Sequence, residues 1–587
     1  MGVLRVAPRC AGSPRRRVEC HPGTVTELLA VGVIALIAIA GAAVLGPRIG
    51  VAAPLVLVVV GIVASLLPWV PDARIDPEWI LAGLLPPLLY SSAVSMPSMN
   101  FRREFGAISG LSVVLVVASS LVLGLFFAWV VPDLGLWWGI ALGAIISPTD
   151  AVATSIVKQT SISRRAISIL DGESLLNDAT ALVLLRTAIV AAGTTFSFWG
   201  ALGDFAKAVA VAVVIGWFVG WLNVFVRARV PSAAVNTALS FAVPFVAAVP
   251  TEHLGGSGLV AAVVAGLFTG IVGPRRLPPG HRLSDAQNWR TVELVLEGAV
   301  FLTMGLELAR ILGDVQREHT GIGPALLVAV GALVLTVLVR AAYVAPLLFA
   351  LSKGAARGER MRDRFAEMHA GDRDAMSEVI REHRPGGRAP SERELDRFST
   401  RIRRTLADIA YYTQAPLGWR EGTAVVWAGM RGAVTVAAAQ TLPEDTPQRS
   451  LLVLVAFAVA LLSLVVQGGT IGPLLRRIAA PATDTEAQDT EERHRLLELM
   501  RDAATQVPAE RERPPATEQE LRAADPVELR AWMGREKTRR LAVLEAQRAA
   551  VLDARDDGTF DAEVLESMLQ NLDAEQIALE LRGGPER

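Results

Sequence analysis

Long apolar runs, each near twenty residues and parted by short polar breaks, fill the chain from about residue 24 to residue 475. A helix needs roughly 20 mainly apolar residues to cross the hydrocarbon of a bilayer. Only helices and closed barrels satisfy their own backbone there. These runs lack the period-two alternation of a barrel strand and are far too long for one. We count about thirteen, near 24–45, 49–68, 79–96, 105–131, 136–157, 170–192, 198–225, 232–250, 256–273, 291–311, 321–351, 423–441 and 450–475. The fold class expected is an all-α polytopic membrane protein. A 52% hydrophobic share is ordinary for a soluble domain. What is unusual is that the charges are segregated, with 480–587 dense in Glu, Arg, Asp and Gln. That pattern excludes a single soluble domain, a disordered chain and a disulfide-rich secreted protein. The net charge of -1 gives no reason to expect a nucleic-acid partner. Cys10 and Cys20 are the only cysteines and both precede the first run, so no disulfide scaffold or cysteine zinc site is expected in the core.

Lys and Arg set the orientation of such a chain. With the start outside, the inner loops hold twelve cations: Arg48, Arg102, Arg103, Lys158, Arg164, Arg165, Arg227, Arg229, Arg275, Arg276, Arg282 and Arg290. The outer loops hold four: Arg74, Arg310, Arg317 and Arg449. The bias places a polar insert at 352–422 and the C-terminal region 477–587 in the cytoplasm. A basic tail, 1–23, with Arg5, Arg9 and Arg15 to Arg17, runs against the rule. No small-residue cleavage pattern follows it, so it is not read as a signal peptide. The organisation expected is therefore the tail 1–23, spans one to eleven in 24–351, the insert 352–422, spans twelve and thirteen in 423–476, and the region 477–587. Helical periodicity predicts helices at 367–384 and 391–412, split by a Pro/Gly break at 384–390, and at 493–505, 526–555 and 562–581. Neither polar region shows a phosphate loop, a metal cluster or a nucleophile with its base. Each reads as a small helical bundle that packs on itself or pairs two subunits, with a regulatory sensor as the alternative.

Ionisable residues at bilayer depth are expensive, so each is a functional hypothesis. In the fifth span, Ser147-Pro148-Thr149-Asp150 should break the helix near its middle, because Pro148 removes a backbone donor. The freed carbonyls, Ser147, Thr149 and Asp150 form a set of hard oxygens suited to a small alkali cation. Asp150 could equally cap the second half-helix. In the sixth span Glu173 and Asn177 are four apart, as are Ser174 and Asp178, so the pairs share one helix face. Asp178 reads as the working carboxylate and Glu173 as a structural ion-pair member. Arg340 and Arg431 lie inside the eleventh and twelfth spans and need compensation. Glu173 is the first choice for Arg340, and Asp150 or helix carbonyl ends for Arg431. Glu297 is given less weight, Glu307 is assigned to the membrane interface, and Arg186 is expected to snorkel outward.

Spans five and twelve are both interrupted, one by Ser-Pro-Thr and one by Gly-Met-Arg-Gly, and they are seven spans apart. Spans one to six and eight to thirteen would then be two inverted six-helix repeats with crossed broken helices at the midplane.

Ser147-Pro-Thr-Asp150-Ala-Val, Glu173-Ser-Leu-Leu-Asn177-Asp178 and Gly429-Met-Arg431-Gly-Ala-Val434 together resemble the first branch of the monovalent cation:proton antiporters, over about 24–475. The resemblance implies antiport of Na+, with K+ or Li+ as alternatives, against H+ across the plasma membrane, serving pH and sodium homeostasis. It implies a homodimer with a dimerisation domain and a moving core, embedded in membrane lipid. It implies that Asp178 exchanges the ions, with Asn177, Ser174, Thr149 and Asp150 around it, the Na+ itself being held by Asp178, Thr149 and Ser174. It implies a Glu173–Arg340 pair and, from Asn-Asp rather than Asp-Asp, electroneutral exchange. No cofactor is implied beyond the transported ions. The long insert departs from the family pattern. A cation channel would need a continuous hydrophilic pore, and an intramembrane hydrolase a nucleophile with a base, which the scattered histidines do not supply.

Overall fold

A computed structural model of the chain describes residues 23–49, 51–67, 77–150, 152–158, 160, 162–193, 198–317, 321–370, 391–415, 417–478, 483–508 and 525–581. The basic tail up to residue 22 with both cysteines, Arg74, the insert from 371 to 390 with its Pro/Gly break, and 509–524 lie outside the described residues.

Every regular element among the described residues is helical. In chain order they are α1 (Gly23–Ile49), α2 (Ala53–Ser65), α3 (Trp79–Ser95), α4 (Ser98–Val130), α5 (Leu136–Ile146), α6 (Val152–Val157), α7 (Arg164–Gly193), α8 (Phe198–Arg227), α9 (Ala233–His253), α10 (Gly258–Arg276) and α11 (Pro279–Arg317). There follow α12 (Ile322–Ala370), α13 (Glu392–Gln414), α14 (Trp419–Trp427), α15 (Ala433–Gln440), α16 (Arg449–Ile478), α17 (Thr483–Thr505), α18 (Pro526–Asp557) and α19 (Ala562–Leu581). Eight are long and apolar enough to cross a membrane unaided, and α2, α3 and α5 are shorter apolar helices beside them. The polar insert does not start with a break: α12 runs through residue 352 as one helix to Ala370.

Two places stop helices inside the apolar block, and local chemistry explains both. At the first, Pro148 has no N–H to continue the ladder, so α5 ends at Ile146 and α6 starts at Val152. Asp150 caps the restart, its Oδ1 accepting from the Val152 N–H at 3.0 Å. At the second, Gly429 and Gly432 flank the gap between α14 and α15. The two gaps meet, with the Asp150 N–H donating to the Met430 carbonyl at 2.8 Å. Each therefore supplies a partner for backbone that its own helix has released.

The packing falls into two groups with a seam between them. A large apolar cluster joins α4, α5, α7, α12, α14, α15 and α16 with α1, α2 and the later half of α11. A second cluster, with Tyr90, Val219, Val243, Ala247, Ala265 and Trp289, joins α3, α8, α9, α10 and the start of α11. Along the seam Leu85, Leu89, Ala93, Met96, Leu259 and Val263 face Ile108, Leu175 and Ala179. Leu175 and Ala179 bracket Asp178 on α7, so the seam runs beside the acid. Helices α17 to α19 form a separate apolar cluster built on Leu496, Leu544, Val551, Leu565 and Leu569. This unit sits against the end of the membrane block where α7 begins.

Candidate ion-binding site

Asp178 lies 14 residues into α7, about 21 Å along its axis at 1.5 Å per residue, which is the middle of a helix that spans the block. It is buried at 6% exposure, and its Oδ1 has no hydrogen-bond partner. Asn177 is fully buried; its Nδ2 donates to the Thr149 hydroxyl, and its Oδ1 is also without a partner. Thr149 belongs to the gap between α5 and α6, so one bond ties α7 to that gap. Buried polar atoms without partners are rare in native structures and call for a ligand or a proton. Here two lie on consecutive residues, beside a gap that also presents Asp150. The Asp150 carboxylate lies against Gly432, where a Cβ would collide with Oδ2.

Ser174 is half-buried one turn before Asp178. Its hydroxyl donates to the Asp171 carbonyl at 3.0 Å, which leaves its lone pairs free to accept or ligate. Ser147, in the same gap, points the other way and shares a 2.8 Å hydrogen bond with Ser119 of α4.

Glu173 has a different environment. Arg340 donates to both its oxygens, at 2.7 Å from Nη2 and also from Nη1, and the Arg340 Nε–H donates to the Val425 carbonyl at 2.8 Å. Both side chains are buried. A bidentate guanidinium whose Nε–H also has an acceptor is the arrangement in which a buried pair is tolerated. Gly429 lets the chain pass close by, since a Cβ there would touch the guanidinium. Arg431 donates from Nε to the Ile146 carbonyl at 2.9 Å and to the Gly429 carbonyl. Of the two kinds of partner considered for it, the structure thus shows helix carbonyl ends, and Arg431 is not a member of the Glu173–Arg340 ion pair. Its backbone N–H is held by Ser463 Oγ at 2.9 Å, and Ser463 by Gln467 at 2.6 Å, around a π turn at Leu464–Gly468. A cavity of about 10 Å³, the room one water needs, lies among Ser119, Ser147, Glu173, Arg340 and Arg431.

Two further acids have surroundings that the sequence reading did not supply. Glu307, assigned to the interface, is buried within the protein, where Gln440 at the end of α15 donates to it and Arg310 lies 3.8 Å away. Gln440 is 133 positions further along the chain, so no local pattern could have revealed this contact. Glu297 is half-buried in α11. One turn earlier Glu293 accepts from Ser92 at 3.3 Å. Opposite the C-terminal unit, a cavity of about 780 Å³ opens between α3, α7, α8 and α10, lined in part by Glu78, Leu182, Arg186, Asp204, Glu252 and Thr441. Leu182 is one turn beyond Asp178. Asp178 itself does not line that cavity.

The transmembrane sodium/hydrogen exchanger family profile matches residues 32–373 and 398–477. An uncharacterised Na+/H+ exchanger of Escherichia coli K12 is 37% identical over 273 residues, 44% of this chain and 49% of its own length. The chain therefore spans about half of that relative in the matched region. An uncharacterised Na+/H+ exchanger of Mycobacterium tuberculosis H37Rv is 27% identical over 581 residues, 94% of this chain and 97% of that one. Among solved structures, the sodium proton antiporter MjNhaP1 from Methanocaldococcus jannaschii superposes with a TM-score of 0.53 at 15% identity, covering 78% of this chain and all of that one. At that identity the likeness speaks to the fold.

Proposed function

The chain belongs to the sodium/hydrogen exchanger family, whose members are secondary transporters and not enzymes, and we propose that it exchanges Na+ for H+ by competition at the single carboxylate of Asp178. The observation that carries this reading is the unpartnered Oδ1 of a buried aspartate beside an equally unpartnered Asn177 Oδ1. A bare carboxylate is costly at that depth, so the site holds either a proton or an alkali cation, and never both. Na+ is ligated by Asp178, the Thr149 hydroxyl and Ser174. Asn177 holds Thr149 in place, and Asp150 caps α6 and adds negative potential. Glu173 and Arg340 are structural. The empty ionised site does not cross, and that prohibition couples the two fluxes. With Asn at 177 the pair contributes one titratable group, so each crossing carries one positive charge and exchange is electroneutral.

The same reading gives the larger frame. About thirteen spans form two inverted six-helix repeats, whose broken members are α5–α6 and α14–α15, with 24–351 and 423–476 in the membrane. The chain works as a homodimer in the plasma membrane, with 352–422 and 477–587 in the cytoplasm and the 780 Å³ cavity on the outer side. It serves pH and sodium homeostasis. K+ and Li+ remain candidate substrates, since hard oxygen ligands accept them and cavity size discriminates. A relative from Bacillus subtilis, 28% identical over 275 residues, is named a sodium, potassium, lithium and rubidium/H+ antiporter.

The test is reconstitution into liposomes carrying a fluorescent pH probe, with Na+, K+ or Li+ added in turn under a clamped potential. Cation-dependent proton flux that ignores the potential is the expected result. Flux that follows the potential refutes electroneutrality. Currents far above carrier turnover rates point to a channel instead.

A further inference from the structure

The C-terminal unit holds both sides of the seam at once. Toward the site-bearing side it reaches the starts of α4 and α7. Arg164 binds Asp489 at 2.6 Å, Glu563 at 2.9 Å and Asp561 at 3.2 Å, and Arg103 donates to the Gly558 carbonyl at 2.8 Å. Toward the other side it reaches the end of α10 and the start of α11. Arg275 binds Asp556 at 2.7 Å and Asp553 at 2.8 Å, and Arg282 binds Asp573. The acids for both sides come from one unit, α17 to α19, with its own apolar core.

We infer that this unit is an ionic clasp across the seam, and that it must open at one side for the site-bearing helices to move. The inference rests on the transport reading above, because Asp178 can meet both sides of the membrane in turn only if something beside it shifts. Geometry carries the rest. The seam is apolar and lined partly by Ala93 and Ala179, with no hydrogen bond among its members to resist sliding among the described residues. The clasp contacts are bonds of under 3.3 Å, so a shift of several ångströms across the seam breaks one set or the other. Exposed ion pairs are individually weak, but these bear on one unit and act together. Arg275 and Asp553 face solvent substantially. Salt therefore screens the Arg275 pairs, whereas Arg282 and Asp573 on the same side are largely covered. Arg275 is also more exposed than Arg164 on the other side, 41% against 27%, so its pairs yield first, and the rate of exchange should rise with ionic strength on the cytoplasmic side.

The experiment uses full-length protein in liposomes. Arg275→Glu should raise the exchange rate roughly fivefold, within the usual range of coupling between sites. Combining it with Asp553→Arg and Asp556→Arg should bring the rate back to that of the wild type. A rate that is unchanged or lower in Arg275→Glu, and not restored by the swap, overturns the clasp. A second arm does not depend on charge. With Cys10 and Cys20 replaced by Ser, cysteines at 164 and 489 on one side, and at 275 and 553 on the other, are joined by a cleavable bifunctional thiol reagent. Linking both sides should stop exchange, and cleavage should restore it. Linking one side should leave exchange running. Exchange at the wild-type rate with both sides linked refutes the clasp outright. Absence of exchange in the unmodified protein would instead condemn the transport reading, so the two failures are told apart.

Discussion

Glu173 and Asp178 are both acids on the same helix, five residues apart, and both are buried. Glu173 has both oxygens occupied by Arg340. Asp178 has an oxygen with no partner at all. Depth and residue chemistry are nearly the same for the two; their neighbours differ. A carboxylate whose bonds are all met works as a joint between helices. One whose bonds are unmet needs a guest, and the guest can be exchanged. Their division of labour is therefore a property of the helices packed against each face of α7: α12 and Ser112 of α4, whose hydroxyl donates to the Glu173 carbonyl, on one face, the seam and the α5–α6 gap on the other.

The sharpest way to break this comparison is to make Asp178 neutral. Asp178→Asn should abolish cation-dependent proton flux in proteoliposomes while leaving insertion and thermal stability in detergent intact, since the change removes a buried charge that no side chain compensates. Appreciable residual flux would contradict the assignment. Glu173→Gln should do the reverse of this to the fold. It leaves Arg340 buried without its counter-charge, a change that destabilises by about 3–5 kcal/mol when one member of a buried pair is removed. The measurement is thermal unfolding in detergent, and an unchanged midpoint would argue against the joint. Adding Arg340→Met to Glu173→Gln removes both charges and should recover much of the lost stability, because a well-packed apolar replacement of a buried pair is often neutral.

A smaller change tests the gap and leaves the acids alone. In Gly432→Ala the new methyl lands on the Asp150 carboxylate. The crossing must spread, and Thr149 moves with it. Displacements near 1 Å at a reacting centre reduce rates by about 10²-fold, so exchange should fall by about that order with the protein still folded. Wild-type exchange in this variant would mean that the packing of Asp150 on Gly432 is irrelevant to transport.

How much of this can be read without coordinates depends on the range of each signal. Charge inside a long apolar run is visible in the chain itself, so Glu173, Asp178, Arg340 and Arg431 are picked out by their context alone. Pro148 and the paired glycines likewise announce the breaks, because they act on their own backbone. What an arginine touches is another matter. Arg340 and Arg431 are alike in the chain, yet one meets a carboxylate 167 positions away and the other the carbonyl of a severed helix 285 positions away. The partner of Glu307 is hidden for the same reason, since its position near a span end says nothing of Gln440. The clasp is the extreme case. A basic loop and an acidic tail each read as ordinary solvated surface until the fold sets Arg275 on Asp553 across 278 positions.

The smallest expected effect concerns Ser174, the most weakly supported of the proposed ligands. Its proton is already given to the Asp171 carbonyl, so the hydroxyl can serve the ion only through its lone pairs, and a proton on Asp178 has less need of it than a cation does. Ser174→Ala should therefore raise the half-saturating Na+ concentration by about threefold to tenfold, the worth of one ordinary hydrogen-bond-scale contact, with the maximal rate and the proton dependence nearly unchanged. That asymmetry separates a cation ligand from a helix-stabilising hydroxyl, whose loss would move the unfolding midpoint and leave the Na+ curve alone. If the Na+ curve stays put, the ligand set shrinks to Asp178 and Thr149 with water, and the contrast with Glu173 sharpens further. The working acid would then be distinguished by how few protein groups commit to it.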